Sequence, residues 1–175
     1  MIIGIKPEIW FPVVTLILGA LAKGIGDWIL ESRKAKADRE AHREARNDNV
    51  RAKMLEFQRV NLLEVQDAAQ ALVRATGKSQ HEDLMAFRKA GVWGKNQYSV
   101  EADQGSLDAH IRLTLFGVRV ADDEIRFLVE QFGTICSKHV LCKSESEGDA
   151  CMSEAMELFQ RLNERIGIAL RSTLT

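Results

Sequence analysis

The sequence predicts an all-α chain: an amino-terminal transmembrane helix continuing into a long charged helix, then a cytoplasmic helical bundle. Three observations carry this. Apolar residues recur at three- and four-residue spacings over most of the chain, and β-branched alternation is scarce. Both prolines, Pro7 and Pro12, precede residue 13, so nothing downstream is forced out of helix. The one dense apolar segment lies at the amino end, from Ile9 to Ala22.

That segment is 14 residues long, shorter than the roughly 20 a spanning helix wants. It resumes past Lys23 with Gly24-Ile25-Gly26, then Asp27 and Trp28-Ile29-Leu30. Trp10 and Trp28 are 18 residues apart, which on a helix is about 27 Å. That is close to the hydrocarbon thickness, and tryptophan prefers the two interfaces. Pro12 sits near the amino end, where a helix tolerates proline best. Lys23 and Asp27, at i and i+4, can pair on one face, and Lys23 can snorkel to the nearer headgroups. Residues 1–30 are therefore expected to anchor the chain in a lipid bilayer, through Trp10, Pro12, Lys23, Asp27 and Trp28. A cleaved export signal ending at Ala20-Leu21-Ala22 competes with this reading. Its leading region carries only Lys6, offset by Glu8, and Arg33, Lys34, Lys36 and Arg39 soon after would hinder export. A buried soluble helix is the third reading. The same four basic residues place the carboxy-terminal part in the cytoplasm, as a single-pass protein of the inner membrane. Ala20 and Gly24, and likewise Ala22 and Gly26, put small residues at a spacing that lets two such helices approach. This is the face on which a homo-oligomer would self-associate.

Beyond the anchor about 145 residues remain, enough for one ordinary domain. With 24 Lys and Arg against 25 Asp and Glu, the formal net charge is -1. No basic excess is available to release counterions, so no nucleic acid is expected as a partner. Cys136, Cys142 and Cys151 cannot all pair within one chain, and in the cytoplasm they are expected as thiols.

Residues 31–53 hold eight basic and five acidic side chains and almost no large apolar one. Ala, Glu, Arg and Lys favour helix, so this stretch reads as a charged juxtamembrane stalk whose basic end can touch anionic headgroups. The bundle, residues 54–175, begins with Leu55, Leu62, Val65, Ala69 and Leu72 on a heptad seam. Gln58 and Thr76 fill the other seam positions, in a core-facing helix or a short coiled coil. Gly77 is the expected stop of that helix, and Ser79 with Glu82 has the spacing of a capping box opening the next. Gly91-Val-Trp93-Gly94 through Tyr98 is the least regular stretch of the soluble part. Trp93 and Tyr98 could form a loop that receives a ligand or partner, or Trp93 could plug the bundle. Three further helices follow, with expected stripes at Leu107, Ile111, Leu115 and Val118, then at Ile125, Leu128, Val129, Phe132, Ile135, Cys136 and Val140, then at Met152, Ala155, Phe159, Leu162, Ile166 and Ala169. Residues 144–149 read as a polar loop, with the last helix starting at Ala150.

Chemistry-bearing motifs are sparse. Cys136-x2-His139-x2-Cys142, with Cys151 beyond, is a zinc-competent set. On a straight helix, however, positions 136 and 142 stand about 9 Å apart. Ordinary burial is the expected role, and no metal or cofactor is assigned. His81-Glu82-Asp83 has no nucleophile tied to it and reads better as a cap. Arg112, Arg119 and Arg126, seven residues apart, could line an anion site but are expected to pair with acidic residues of neighbouring helices. There is no glycine-rich phosphate loop, His-Glu-x-x-His motif or Gly-x-Ser-x-Gly elbow in the chain.

Several short motifs occur along the chain: Trp10-x-Pro12-x-x-Thr15-Leu16 with Asp27-Trp28, Glu56-Phe57-Gln58-Arg59 with Gln66 and Ala68, Arg88-x-x-Gly91-x-Trp93-Gly94, and Leu162-Asn-Glu-Arg-Ile-Gly167. In these the chain resembles a set of bacterial proteins with a short amino-terminal anchor, a charged helical stalk and a small helical domain. The resemblance implies that architecture and no activity. The expected function is a non-enzymatic, membrane-tethered adaptor or scaffold whose helical domain binds a cytoplasmic protein. The competing expectation is an oligomeric, membrane-permeabilising stress or defence effector, motivated by Lys23 and Asp27 within the span.

Overall fold

The computed structural model describes residues 7–94 and 97–172; before residue 31 it describes the side chains of residues 15, 16, 18, 19, 23, 28 and 30 alone. The described chain is all-helical: α1 (Pro7–Ala90), α2 (Val100–Gly117), α3 (Asp123–His139) and α4 (Glu145–Ser172). Two compact units divide between Ala52 and Lys53. In the first, α1 is helical and its side chains from Leu30 onward are all exposed, as the charged composition of residues 31–53 requires. Trp10, Pro12, Ala20, Ala22, Gly24, Gly26 and Asp27 lie outside the described side chains. Lys23 and Trp28 are exposed. Among the described residues no helix is long and apolar enough to cross a membrane.

The second unit is an up-down-up-down four-helix bundle. Polar side chains on α1 mark its course. Gln58 donates to the Arg119 carbonyl at 3.2 Å and accepts from the Ala121 N–H at 2.9 Å, so it satisfies the turn between α2 and α3. Further along, Arg112 of α2 pairs with Glu64 and Asp67, and Lys78 with Glu101 at the start of α2. The α1–α2 pair is therefore antiparallel. Gln66 bonds Asn163 and Gln80 bonds Asp149, which sets α4 antiparallel to α1 as well. The core between them is built on Leu62, Val65, Leu72, Leu113, Phe132 and Leu162, each 3% exposed or less. Burying a side chain of this size contributes roughly 1.5–3 kcal/mol.

Three expectations fail for local reasons, the first two of them about helix limits. First, α1 does not stop at Gly77. It runs on to Ala90, and Gly77 faces the Met152 methyl of α4, which stands at ordinary contact distance, 3.5 Å, from where a Cβ would be. Ser79 is not a cap either: its hydroxyl donates back to the Ala75 carbonyl, while Glu82 accepts from the Ser99 N–H and hydroxyl across the connection to α2. Second, residues 145–149 are helix. Ser144 accepts from the Glu147 N–H as an N-cap does, and Glu147 reaches back to the Lys143 N–H one residue before it.

The third difference concerns α2, whose expected core stripe faces outward. Ala102, Ala109, Leu113 and Gly117 are buried, and Leu107, Ile111, Leu115 and Val118 remain 55%, 55%, 45% and 71% exposed. Small residues win the inner face because α2 and α3 approach closely. A Cβ at Gly117 would stand 2.7 Å from the Val129 Cγ1, and one at Gly133 would stand 3.2 Å from the His110 ring. The stripe of α3 is buried as expected, apart from Val140 at its end; in α4 Ala155, Leu162 and Ile166 are buried, while Met152, Phe159 and Ala169 pack half-buried against the core.

This close approach yields a stability prediction. Alanine normally gains up to about 1 kcal/mol over glycine in a helix, but overpacking costs about 1–3 kcal/mol. Gly117→Ala should therefore lower stability by roughly 1 kcal/mol in denaturant unfolding of the full chain in mild detergent. Val129→Ala should cost its own cavity, yet the double variant should lose less than the sum. Strict additivity would show that the contact is not the reason for glycine.

Candidate functional site

Two regions of the bundle stand out. The first is a polar cluster at the end where α1, α3 and the start of α4 meet. The buried stripe of α1 changes from Leu72 and Val73 to Thr76, Ser79 and Asp83, all under 6% exposed. Thr76 and Ser79 satisfy their hydroxyls on carbonyls four residues back. Asp83 takes the Tyr98 hydroxyl at 2.6 Å on Oδ2, and its Oδ1 has no partner among the described residues. Burial, then the Asp83 carboxylate, pushes the Tyr98 phenol far above its ordinary value.

Gln80 joins three elements. Its amide nitrogen donates to Asp149 at 2.6 Å and its oxygen faces His139 Nε2. That orientation makes Nε2 the protonated nitrogen of the imidazole. Nδ1 is left buried without a partner. Burial lowers the His139 pKa below its ordinary 6.5, and the opposing field of Asp83 does not overcome it. The imidazole is thus held neutral even though it sits in the last turn of α3, where the helix dipole favours a cation. Trp93 closes the cluster from outside. Its ring meets Phe87 edge-on at 5.8 Å and occupies the space a side chain at 148 would need, with Cζ2 only 2.8 Å from a Gly148 Cβ position. Trp93 therefore packs as a plug between α1 and α4, and Tyr98 points into the bundle.

The zinc-competent set does not converge. Cys142 and Cys151 stand 3.4 Å apart, sulfur to sulfur, while His139 is turned to Gln80. Cys136 lines a separate cavity of about 290 Å³ with Leu72, Leu107 and Val140. Among the described residues no three His, Cys, Asp or Glu side chains are placed to hold a metal ion.

The second region is the outer face of α2 and its seam with α3. A cleft of about 590 Å³ runs between the two helices, lined by His110, Leu113, Val118, Arg126, Val129 and Glu130. The exposed residues Leu107, Ile111, Leu115 and Val118 rise along α2 for 11 residues, about 16 Å or three turns. The arginine series makes no anion site. Arg112 is held by Glu64 and Asp67, Arg119 lies over the Phe116 ring at 5.3 Å, and Arg126 is taken by Asp123 and the Val120 carbonyl. Glu130, which lines the cleft, and Asp103, which lines the neighbouring cavity, enter no ion pair among the described residues. Sequence reasoning found these apolar residues but assigned them to the core. The signal that separates the two is the run of small residues on the opposite face.

The neutral His139 has a measurable consequence. Its folded pKa lies below the unfolded one, so the unfolded chain binds the proton first, and stability falls as pH drops below about 6.5. Glu82 and Asp122 are also held below the ordinary carboxylate range, but they lose their contribution at lower pH. The denaturation midpoint of the full chain should therefore decline between pH 7 and pH 5, and His139→Gln should flatten that decline. An unchanged slope in the variant would refute the assignment. Compared with protein families, curated proteins and solved structures, the chain matches none.

Proposed function

We propose that the chain is a non-enzymatic, membrane-tethered adaptor whose bundle docks a cytoplasmic protein on the outer face of α2. The single observation that carries this is the exposed apolar stripe Leu107, Ile111, Leu115 and Val118 beside an open seam. Leaving four large aliphatic side chains in water forgoes roughly 1 kcal/mol or more for each, and continuous patches of this kind mark interaction sites. Three turns of stripe suit three turns of a partner helix laid alongside, the helix-in-groove mode of recognition. The nearby arginines are engaged, while Glu130 in the cleft and Asp103 in the neighbouring cavity enter no ion pair among the described residues. The occupant this favours is an amphipathic helix with an apolar face and a basic flank. The tether is the apolar segment of residues 1–30, and the charged helix of residues 31–53 is its spacer.

A photo-crosslinker at position 111 or 115, in the full-length chain in cells, tests the reading. It should give an adduct with a different polypeptide in the membrane fraction. Adding Leu107→Asp, an outward substitution that leaves the buried face of α2 intact, should reduce that adduct at least tenfold. An adduct between two copies of the chain would replace the adaptor by self-assembly, and no adduct from either position would end the proposal.

A further inference from the structure

The thiols of Cys142 and Cys151 have no part in the docking face, and their placement has its own chemistry. Cys142 lies in the turn that follows α3, held by its N–H to the His139 carbonyl at 3.1 Å. Cys151 lies on the second turn of α4. The Cys142 S–H donates to the Cys151 sulfur at 3.4 Å. A disulfide needs an approach of only about 1.4 Å from there. An open groove of about 460 Å³ is lined by both cysteines, with Lys138, Leu141, Glu147 and Glu154 around it. A small reagent thus has a route to a pair that is otherwise buried. Cys136, lining its own cavity, is not part of this pair.

We propose that Cys142 and Cys151 are a modification site, an intramolecular disulfide clasp formed by exchange with a small disulfide such as oxidised glutathione. The Cys142 thiolate attacks one sulfur of the reagent, forming a mixed disulfide and expelling one glutathione thiolate. The Cys151 thiolate then attacks the Cys142 sulfur and expels the second. Two protein thiols are oxidised, one disulfide is reduced to two thiols, and the two protons released by the cysteines go to the departing thiolates. The clasp ties the end of α3 to the first turns of α4, where Gly148 and Asp149 meet Trp93 and Gln80.

Burial, with the neighbouring Cys151 adding to it, pushes the Cys142 thiol up to about 11. Exchange is therefore slow at neutral pH and quickens as pH rises. The same property makes the Cys142 sulfur a poor leaving group, which slows reduction of the closed clasp by attack at Cys151. This is a slow lock and not a fast peroxide sensor.

The test uses the full-length protein in mild detergent, incubated with oxidised glutathione at alkaline pH, acid-quenched, then unfolded and alkylated. The expected product is a single chain two hydrogen masses lighter that takes one alkyl group, at Cys136. Its unfolding temperature should rise by about 5–10 °C. Cys136→Ser should still close, and Cys151→Ser should instead trap glutathione on Cys142. Three alkylatable thiols after incubation, persistent glutathione on the unaltered chain, or linkage between chains would overturn the proposal.

Discussion

The bundle depends on one helix not stopping. Because α1 continues through Gly77 to Ala90, a single rigid element presents Gln58, Gln66 and Gln80 at successive heights. Each glutamine reaches a different part of the fold: the α2–α3 turn, the middle of α4, and the meeting of α3 with the start of α4. An amide both donates and accepts, so one side chain can satisfy two groups of opposite demand. Gln58 and Gln80 both do this. Had α1 ended at Gly77, Ser79, Gln80 and Asp83 would belong to another element, and the polar end of the bundle would have no common frame.

That polar end sets limits on what the bundle can become. Asp83 and His139 each leave one buried atom without a hydrogen-bond partner among the described residues. Buried unsatisfied atoms cost of order 1–3 kcal/mol, so they must be held by the packing around them. Trp93 and Gly148 supply part of that hold, because the indole covers the cluster only while position 148 has no side chain. The Glu82–Ser99 bonds fix where the chain re-enters as α2, and so fix Tyr98 over Asp83.

Much of the fold was legible, and the failures share a cause. The stripes of α3 and α4 could be read because large apolar residues at helical spacing do face the core there. In α2 the same rule inverted, since the core side is taken by Ala102, Ala109 and Gly117 and the large residues are left outside. Spacing alone cannot separate a core stripe from a docking stripe. Capping patterns were equally ambiguous: Ser79 and Glu82 match a capping box yet sit within a helix, whereas Ser144 caps the Glu147 N–H in a stretch that reads as loop. Trp93 and Tyr98 stand out as the aromatic residues of an irregular segment. Their polar neighbours did not, because Gln80 and His139 are 59 residues apart and only the tertiary fold brings them together.

The order of the helices also has a consequence in time. Gln66 and Asn163 bond across 97 residues, so the apolar stripe of α1 receives its last cover only when α4 exists. At roughly 5–20 residues per second of synthesis, Leu62 to Leu72 wait about 5–20 s for that cover. During this interval the nascent chain carries an open hydrophobic seam, and whatever holds it apart from its neighbours on the same messenger protects the yield of folded bundle.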